Sequence, residues 1–160
     1  MKHEYHAEQV FAMAGVSGVQ TRLRGASSSA YSSDFRIVVE AANLAVYPDL
    51  SVICGPPQRA KAFKHSGTNP TVLFEILSPE TESYDRGTKF EQYRKLPSLR
   101  EYVLVSQREI AIDLFRLENG HWVLHPFRGE DAILSLTSAD IEIPLRDIYF
   151  DIPFEDAEQT

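Results

Sequence analysis

A single cysteine, Cys54, stands among the 160 residues, so no disulfide can form within the chain. A lone thiol of this kind usually serves as a small buried hydrophobe, and that is the expectation for Cys54. No apolar run approaches the roughly 20 residues of a membrane-crossing helix, so no membrane association is expected. The opening segment, MKHEYHAEQVF, has no apolar core of signal-peptide type, and the chain reads as cytoplasmic. Positive charge is scarce. Against 23 Asp and Glu there are 16 Lys and Arg, a net charge of −7, which argues against a broad, non-specific hold on nucleic acid. No glycine-rich phosphate loop occurs, and Ser78 lacks the Gly-x-Ser-x-Gly frame of an activated serine.

What is present is an ordinary globular composition, 43% hydrophobic and 24% charged, at a length that fits one domain spanning residues 1–160. HEYHAEQVFAM, residues 3–13, reads as a strand pair. Residues 15–33 are rich in Gly and Ser without a clear period, an irregular stretch unusually long for a compact domain. DFRIVVEAA reads as a strand. LAVYPDLSVI reads as the next, with a break expected beside Pro48. TVLFEIL is almost continuously apolar, the mark of a central strand covered on both faces. A helix capped by Asp85 or Thr88 is expected to carry Lys89, Phe90, Tyr93 and Leu96 before Pro97 ends it. EYVLVS, IAIDLFRL and HWVLHPF read as strands, the last two joined at the Glu118-Asn119-Gly120 turn as a hairpin. IEIPLRDIYF suggests a last short strand and turn, and the acidic tail, 155–160, a frayed end. The expected fold is therefore mixed α/β: a central β-sheet, a flanking helix and a C-terminal β-hairpin.

Two acids break the apolar pattern. Asp49 sits in VYPDLSVI and Glu75 in TVLFEILSP, each among residues that belong in a core. A buried charge is costly unless it is paired or bound to a metal. Brought together on adjacent strands, two carboxylates repel, so one takes a proton or a cation lies between them. Hard oxygen ligands favour Mg²⁺ or Mn²⁺, ions that activate water and neutralise charge on a phosphate. Lys89, one strand-to-helix connection beyond Glu75, would add a positive charge. Around it the segment from Tyr84 to Arg100 is locally basic, with Arg86, Lys89, Arg94, Lys95 and Arg100.

The series Pro48-Asp49, Glu75 and a lysine resembles the PD-(D/E)XK nuclease superfamily. Within it, the run from about Tyr31 to Phe150 is similar to the Uma family of proposed restriction endonucleases, carried by YPDLSVICGP, FEILSPETESYDRGTKFEQYRKLPSLREYVLVSQ and IPLRDIYF. The resemblance implies a restriction-endonuclease-like core and a metal-dependent endonuclease acting on DNA, with a homodimer as the assembly. It implies Asp49 and Glu75 as metal ligands, the Ile76 backbone carbonyl as a third, and Lys89 as the catalytic lysine. Leu77 occupies the usual lysine position, two residues past Glu75. Gln92 and Tyr93 would line the same cleft. The chain departs from its relatives at the N-terminal side. The connection after FAMAG looks about a dozen residues too short for the family's helix, which would expose apolar sheet surface. Ala7-Glu8-Gln9 replaces an Asp-Gly-Glu turn, while Glu4 matches an acid of relatives.

Other readings stay open on the residues alone. Asp49 could cap a turn after Pro48. Glu75 could form a structural ion pair with Lys89 or Arg94. His121 and His125, four apart on a strand, have no further ligand cluster to make a zinc site. Arg22 and Arg24 could be phosphate contacts or solubilising charge. Phe90, Tyr93 and Tyr102 read as core rather than as base-stacking platforms. The competing functional class is a catalytically silent relative acting as a binding or structural module. A glycosidase using the same two acids is disfavoured by the lack of an aromatic-rich cleft.

Overall fold

A computed structural model describes residues 18–19, 22–23, 27–150, 152 and 154. The segments read as a strand pair at 3–13 and as a frayed tail at 155–160, with Glu4 and Arg24, lie outside the described residues. Six strands build the main sheet: β1 (Ser28–Ser32), β4 (Leu50–Cys54), β6 (Val72–Ile76), β7 (Glu101–Val105), β8 (Ala111–Glu118) and β9 (His121–Arg128), in the order β1-β4-β6-β7-β8-β9. Within this sheet the β6–β7 pair is parallel and the others are antiparallel. A parallel pair needs a long crossover, and here it holds the short helices α1 (Glu82–Arg86) and α2 (Thr88–Tyr93). A smaller sheet, β3-β2-β5, comprises β2 (Arg36–Val39), β3 (Leu44–Val46) and β5 (Ser66–Gly67). β10 (Ile133–Leu136) and β11 (Ile141–Pro144) pair separately, followed by α3 (Leu145–Ile148).

The chain break expected at Pro48 divides LAVYPDLSVI between two sheets. β3 ends at Val46 in the smaller one, and β4 begins at Leu50 in the larger. Asp49 therefore lies where the chain crosses between them. The hairpin turn falls at Asn119 and Gly120, with φ of 50° and 81°, the left-handed pair that a two-residue turn demands.

Each face of the main sheet has its own core. Val72, Phe74 and Ile76 point to one, shared with Val103, Ile112 and Leu114, and roofed by Leu134, Leu136, Ile143 and Leu145. Leu73 and Leu77 point to the other, beneath Phe90, Tyr93 and Leu96 from the helical side and Ile37 and Val39 of the smaller sheet. The apolar stripe of Phe90, Tyr93 and Leu96 is thus buried as expected.

Three expectations are corrected. Residues 15–33 are not irregular throughout: Ser28–Ser32 forms β1, and residues 18, 19, 22 and 23 are helical. Val19 and Leu23, both helical, are buried in the first core, so helical residues do pack on the sheet face anticipated as exposed. The expected single helix is two. Gly87 interrupts it with φ −107° and ψ −96°, neither Asp85 nor Thr88 caps it, and α2 stops at Tyr93, short of Pro97. Cys54 is only half-buried, with Ser28 Oγ 3.0 Å from its sulfur. No helix among the described residues is long and apolar enough to cross a membrane.

Ser51 Oγ is buried without a hydrogen-bond partner among the described residues. Removing a polar atom that has lost water and gained nothing relieves a desolvation penalty. Ser51→Ala is therefore expected to raise the unfolding free energy by about 1 kcal/mol in denaturant titration; a loss of similar size would show the hydroxyl to be engaged.

Candidate active site

Strand register places the acids. Leu50 pairs with Phe74 in the last rung of the antiparallel β4–β6 ladder, so the residue before it, Asp49, lies at the Glu75–Ile76 end of β6. Side chains alternate along a strand, so Glu75 projects to the same face as Leu73 and Leu77, towards α2. Asp49 Oδ2 accepts a 2.7 Å hydrogen bond from the Ile76 amide, which ties the strand crossing to the end of β6. Glu75, only 4% exposed, lies beneath the helices, where Oε1 accepts from Tyr93 Oη at 2.8 Å and meets Lys89 Nζ at 3.0 Å.

Lys89 has a second partner. Asp85, one turn earlier and 3% exposed, stands 3.5 Å from the same ammonium. Sequence reasoning treated Asp85 only as a helix cap. The signal that would have found it is its i,i+4 spacing to Lys89 across the Gly87 interruption. Tyr102 Oη donates to the Asp85 carbonyl at 2.9 Å, closing the group from the β7 side. Gln92 stays apart: its side-chain oxygen accepts from Lys95 Nζ at 3.1 Å.

Three acids, Asp49, Glu75 and Asp85, thus surround one lysine, leaving two negative charges uncompensated if all ionise. Protonation relieves part of the strain. Burial, with Asp49 adding to it, pushes Glu75 up to about 8 despite Lys89 and Tyr93. Burial likewise raises Asp85. Burial pulls the Lys89 ammonium down, but Glu75 and then Asp85 outweigh it and hold the group above its ordinary value, so Lys89 stays charged. Burial and then Glu75 keep the Tyr93 phenol protonated as a donor.

The other buried acids separate cleanly from this group. Glu101 is met by Arg116 at 3.1 Å and by Ser138, and Asp113 by Arg86 at 3.0 Å and Arg128 at 2.9 Å. Each has its own arginine. Much of the locally basic segment is spent in the same way: Arg86 on Asp113 and Glu82, Arg94 over the Phe90 ring at 4.8 Å, Arg100 on backbone carbonyls. Of the two structural pairings considered for Glu75, Lys89 is the one formed. Arg22 binds Asp147 at 2.7 Å, and His125 Nε2 lies 2.8 Å from Glu118.

The oxygen set suits a hard divalent cation. Asp49 Oδ1 and Glu75 Oε2 accept no hydrogen bond from the described residues. No three His, Cys, Asp or Glu side chains converge as a metal cage among those residues. Mg²⁺ does not require one, since it commonly takes one or two carboxylates and completes its shell with water and substrate phosphate. Zn²⁺, with its preference for nitrogen and sulfur, has no such donors here.

Comparison with known proteins agrees with this architecture. The profile of the Uma2 family, described as "Putative restriction endonuclease", matches residues 1–146. An uncharacterized protein of Synechocystis sp. is 33% identical over 166 residues, covering 96% of this chain and 86% of that one. A second from the same organism is 30% identical, covering 64% of this chain and 58% of the other. Among solved structures, that of a "putative nuclease belonging to DUF820" from Anabaena variabilis superposes with a TM-score of 0.72 at 16% identity, over 89% of this chain and 80% of that one. At that identity the likeness concerns the fold alone; with the family match it bears out the restriction-endonuclease-like core.

Proposed function

The chain belongs to the Uma2 family of restriction-endonuclease-like proteins, and from that premise we propose that it is a Mg²⁺- or Mn²⁺-dependent endonuclease that hydrolyses phosphodiester bonds in DNA. The observation that carries this reading is the placement of Asp49 at the end of β6, on the Ile76 amide next to Glu75, beside a lysine already claimed by another acid. Asp49, Glu75 and the Ile76 carbonyl would hold the ion. Once bound, it would activate water and neutralise charge on the scissile phosphate.

The remaining steps belong to the protein's own groups. Glu75 must give up the proton that burial favours, because a metal ligand is a carboxylate. Tyr93 fixes the Glu75 carboxylate by donating to Oε1. Asp85 and Glu75 together hold the Lys89 ammonium at the site, where a positive charge stabilises developing negative charge on phosphate oxygens. Asp85 acts as a positioning residue for that lysine. The test is cleavage of plasmid and oligonucleotide with Mg²⁺ or Mn²⁺. Metal-dependent cleavage is expected, and cleavage that survives the double change Asp49→Ala, Glu75→Ala would sink the assignment. The rival reading, a silent binding module, has as its motive the missing N-terminal helices and the short, Ser-rich connection at 15–33; the buried helical residues Val19 and Leu23 weigh against that motive.

We also propose a homodimer. β9 pairs with β8 alone among the described strands, and Leu124 is 47% exposed there. An open edge with apolar side chains invites a second copy. Light scattering at micromolar concentration is expected to give twice the 18.1 kDa chain mass; the single-chain mass contradicts it.

A further inference from the structure

One surface collects positive charge that no ion pair among the described residues neutralises. Residues 54–74 contain no Asp or Glu, yet they carry Arg59, Lys61, Lys64 and His65, all exposed. None of the three cations forms an ion pair with a described residue, in contrast to Arg22, Arg86, Lys89, Arg116, Arg128 and Arg146. In a chain of net charge −7, unpaired cations grouped on one loop are a local departure from the overall field.

The loop is also pre-formed. Arg59 donates to the Lys64 carbonyl at 2.8 Å, and Ser66 Oγ donates to the Phe63 carbonyl at 2.8 Å while accepting from the Ala60 amide. Gln58 is pinned by Asn69 and Thr68. Aromatic rings flank the charge. Arg36 lies 4.0 Å from the Phe63 ring centre and donates from Nε to Tyr47 Oη at 2.8 Å. Tyr47 remains 50% exposed. Together with Lys64, His65 and the single acid Asp34, these side chains line a cleft of about 330 Å³.

The cleft is joined to the acidic site by a short run of chain. Tyr47 precedes Asp49 by two residues, so their Cα atoms are at most about 7 Å apart.

Resting on the nuclease reading above, we propose that this cleft and its basic loop hold the nucleic-acid strand beside the cleavage site, with Lys61 and Lys64 on phosphates and Tyr47 stacking against a base. Cationic grooves combined with exposed aromatic faces are how single strands are held without sequence preference. The rigid loop presents its charges without the ordering cost that a mobile tail carries.

Fluorescence anisotropy of a labelled single-stranded oligonucleotide, in EDTA so that no cleavage occurs, tests the assignment. Lys61→Glu with Lys64→Glu is expected to weaken binding at least about tenfold and to reduce the slope of log K against log salt by about 1.4, near 0.7 per phosphate contact. Tyr47→Ala is expected to cost about tenfold for the single strand, the size of one lost stacked base. Thermal unfolding monitors that both variants remain folded. Asp49→Asn with Glu75→Gln is expected to retain strand binding, so a failure of the catalytic reading leaves this result intact. Unchanged affinity and salt slope in the lysine pair would overturn the proposal. So would equal competition by inorganic polyphosphate with no effect of Tyr47→Ala, which would mark a general polyanion surface.

Discussion

Glu75→Gln is expected to lower the rate of metal-dependent phosphodiester cleavage by about 10³-fold, the scale of losing a charge-stabilising group from a water-excluded site. The substitution keeps shape and the hydrogen bond from Tyr93 while removing the ability to become a carboxylate. Its effect on the metal-free fold has the opposite sign. In the wild type, Glu75 titrates near 8 when folded against 4.5 for the free group, because burial and Asp49 disfavour the charged form. The folded chain therefore holds a proton that the unfolded chain releases. The stability this confers is fully present below pH 4.5 and is lost as pH rises through about 8. Glu75→Gln should flatten that decline between the two values, and saturating Mn²⁺ should flatten it in the wild type. Denaturant midpoints measured across that range with and without metal check both statements; an unchanged pH slope in the variant contradicts them.

Lys89→Met carries the second large effect. Lys89 is 17% exposed and is the cation that Glu75 and Asp85 share. Removing one partner of a buried ion pair typically costs about 3–5 kcal/mol, because the partner charge is left unpaired. The low end, about 3 kcal/mol, applies here since Glu75 can retain its proton. For a chain of this length that corresponds to a fall in Tm of about 10 °C. Divalent metal should restore a substantial part of the loss, since an ion at Asp49 and Glu75 supplies the missing positive charge. A solvated helix lysine would instead give a change within about 0.5 kcal/mol and no response to metal.

Much of this was legible from residue order. A run such as TVLFEIL is the mark of a strand covered on both faces, and Asn119-Gly120 between two strand-like runs is that of a tight hairpin. Pro48 marked a break in the strand, and the chain crosses there from the smaller sheet to the larger, beside Asp49. What the pattern could not show was compensation. An acid inside an apolar strand occurs at Glu75, Glu101 and Asp113 alike, and the first is distinguished by partners distant in sequence. Arg116 neutralises Glu101, and Arg86 with Arg128 neutralises Asp113. Glu75 must share Lys89 with Asp85 while Asp49 stands alongside. The helical residues 18, 19, 22 and 23 were hidden by composition, since among them only Val19 and Leu23 are apolar enough to mark a buried face. The basic segment at Tyr84–Arg100 misled for the same reason as the acids: its charges are largely committed to neighbours, whereas the quieter loop around Lys61 and Lys64 keeps its own free of ion pairs among the described residues.

Anomalous diffraction from crystals grown with Mn²⁺ addresses the central claim most directly. One peak in contact with both the Asp49 and Glu75 carboxylates, absent from crystals of Glu75→Gln, is the predicted result. Crystals saturated with Mn²⁺ that show no peak between those two side chains, or one that persists unchanged in the variant, would contradict it.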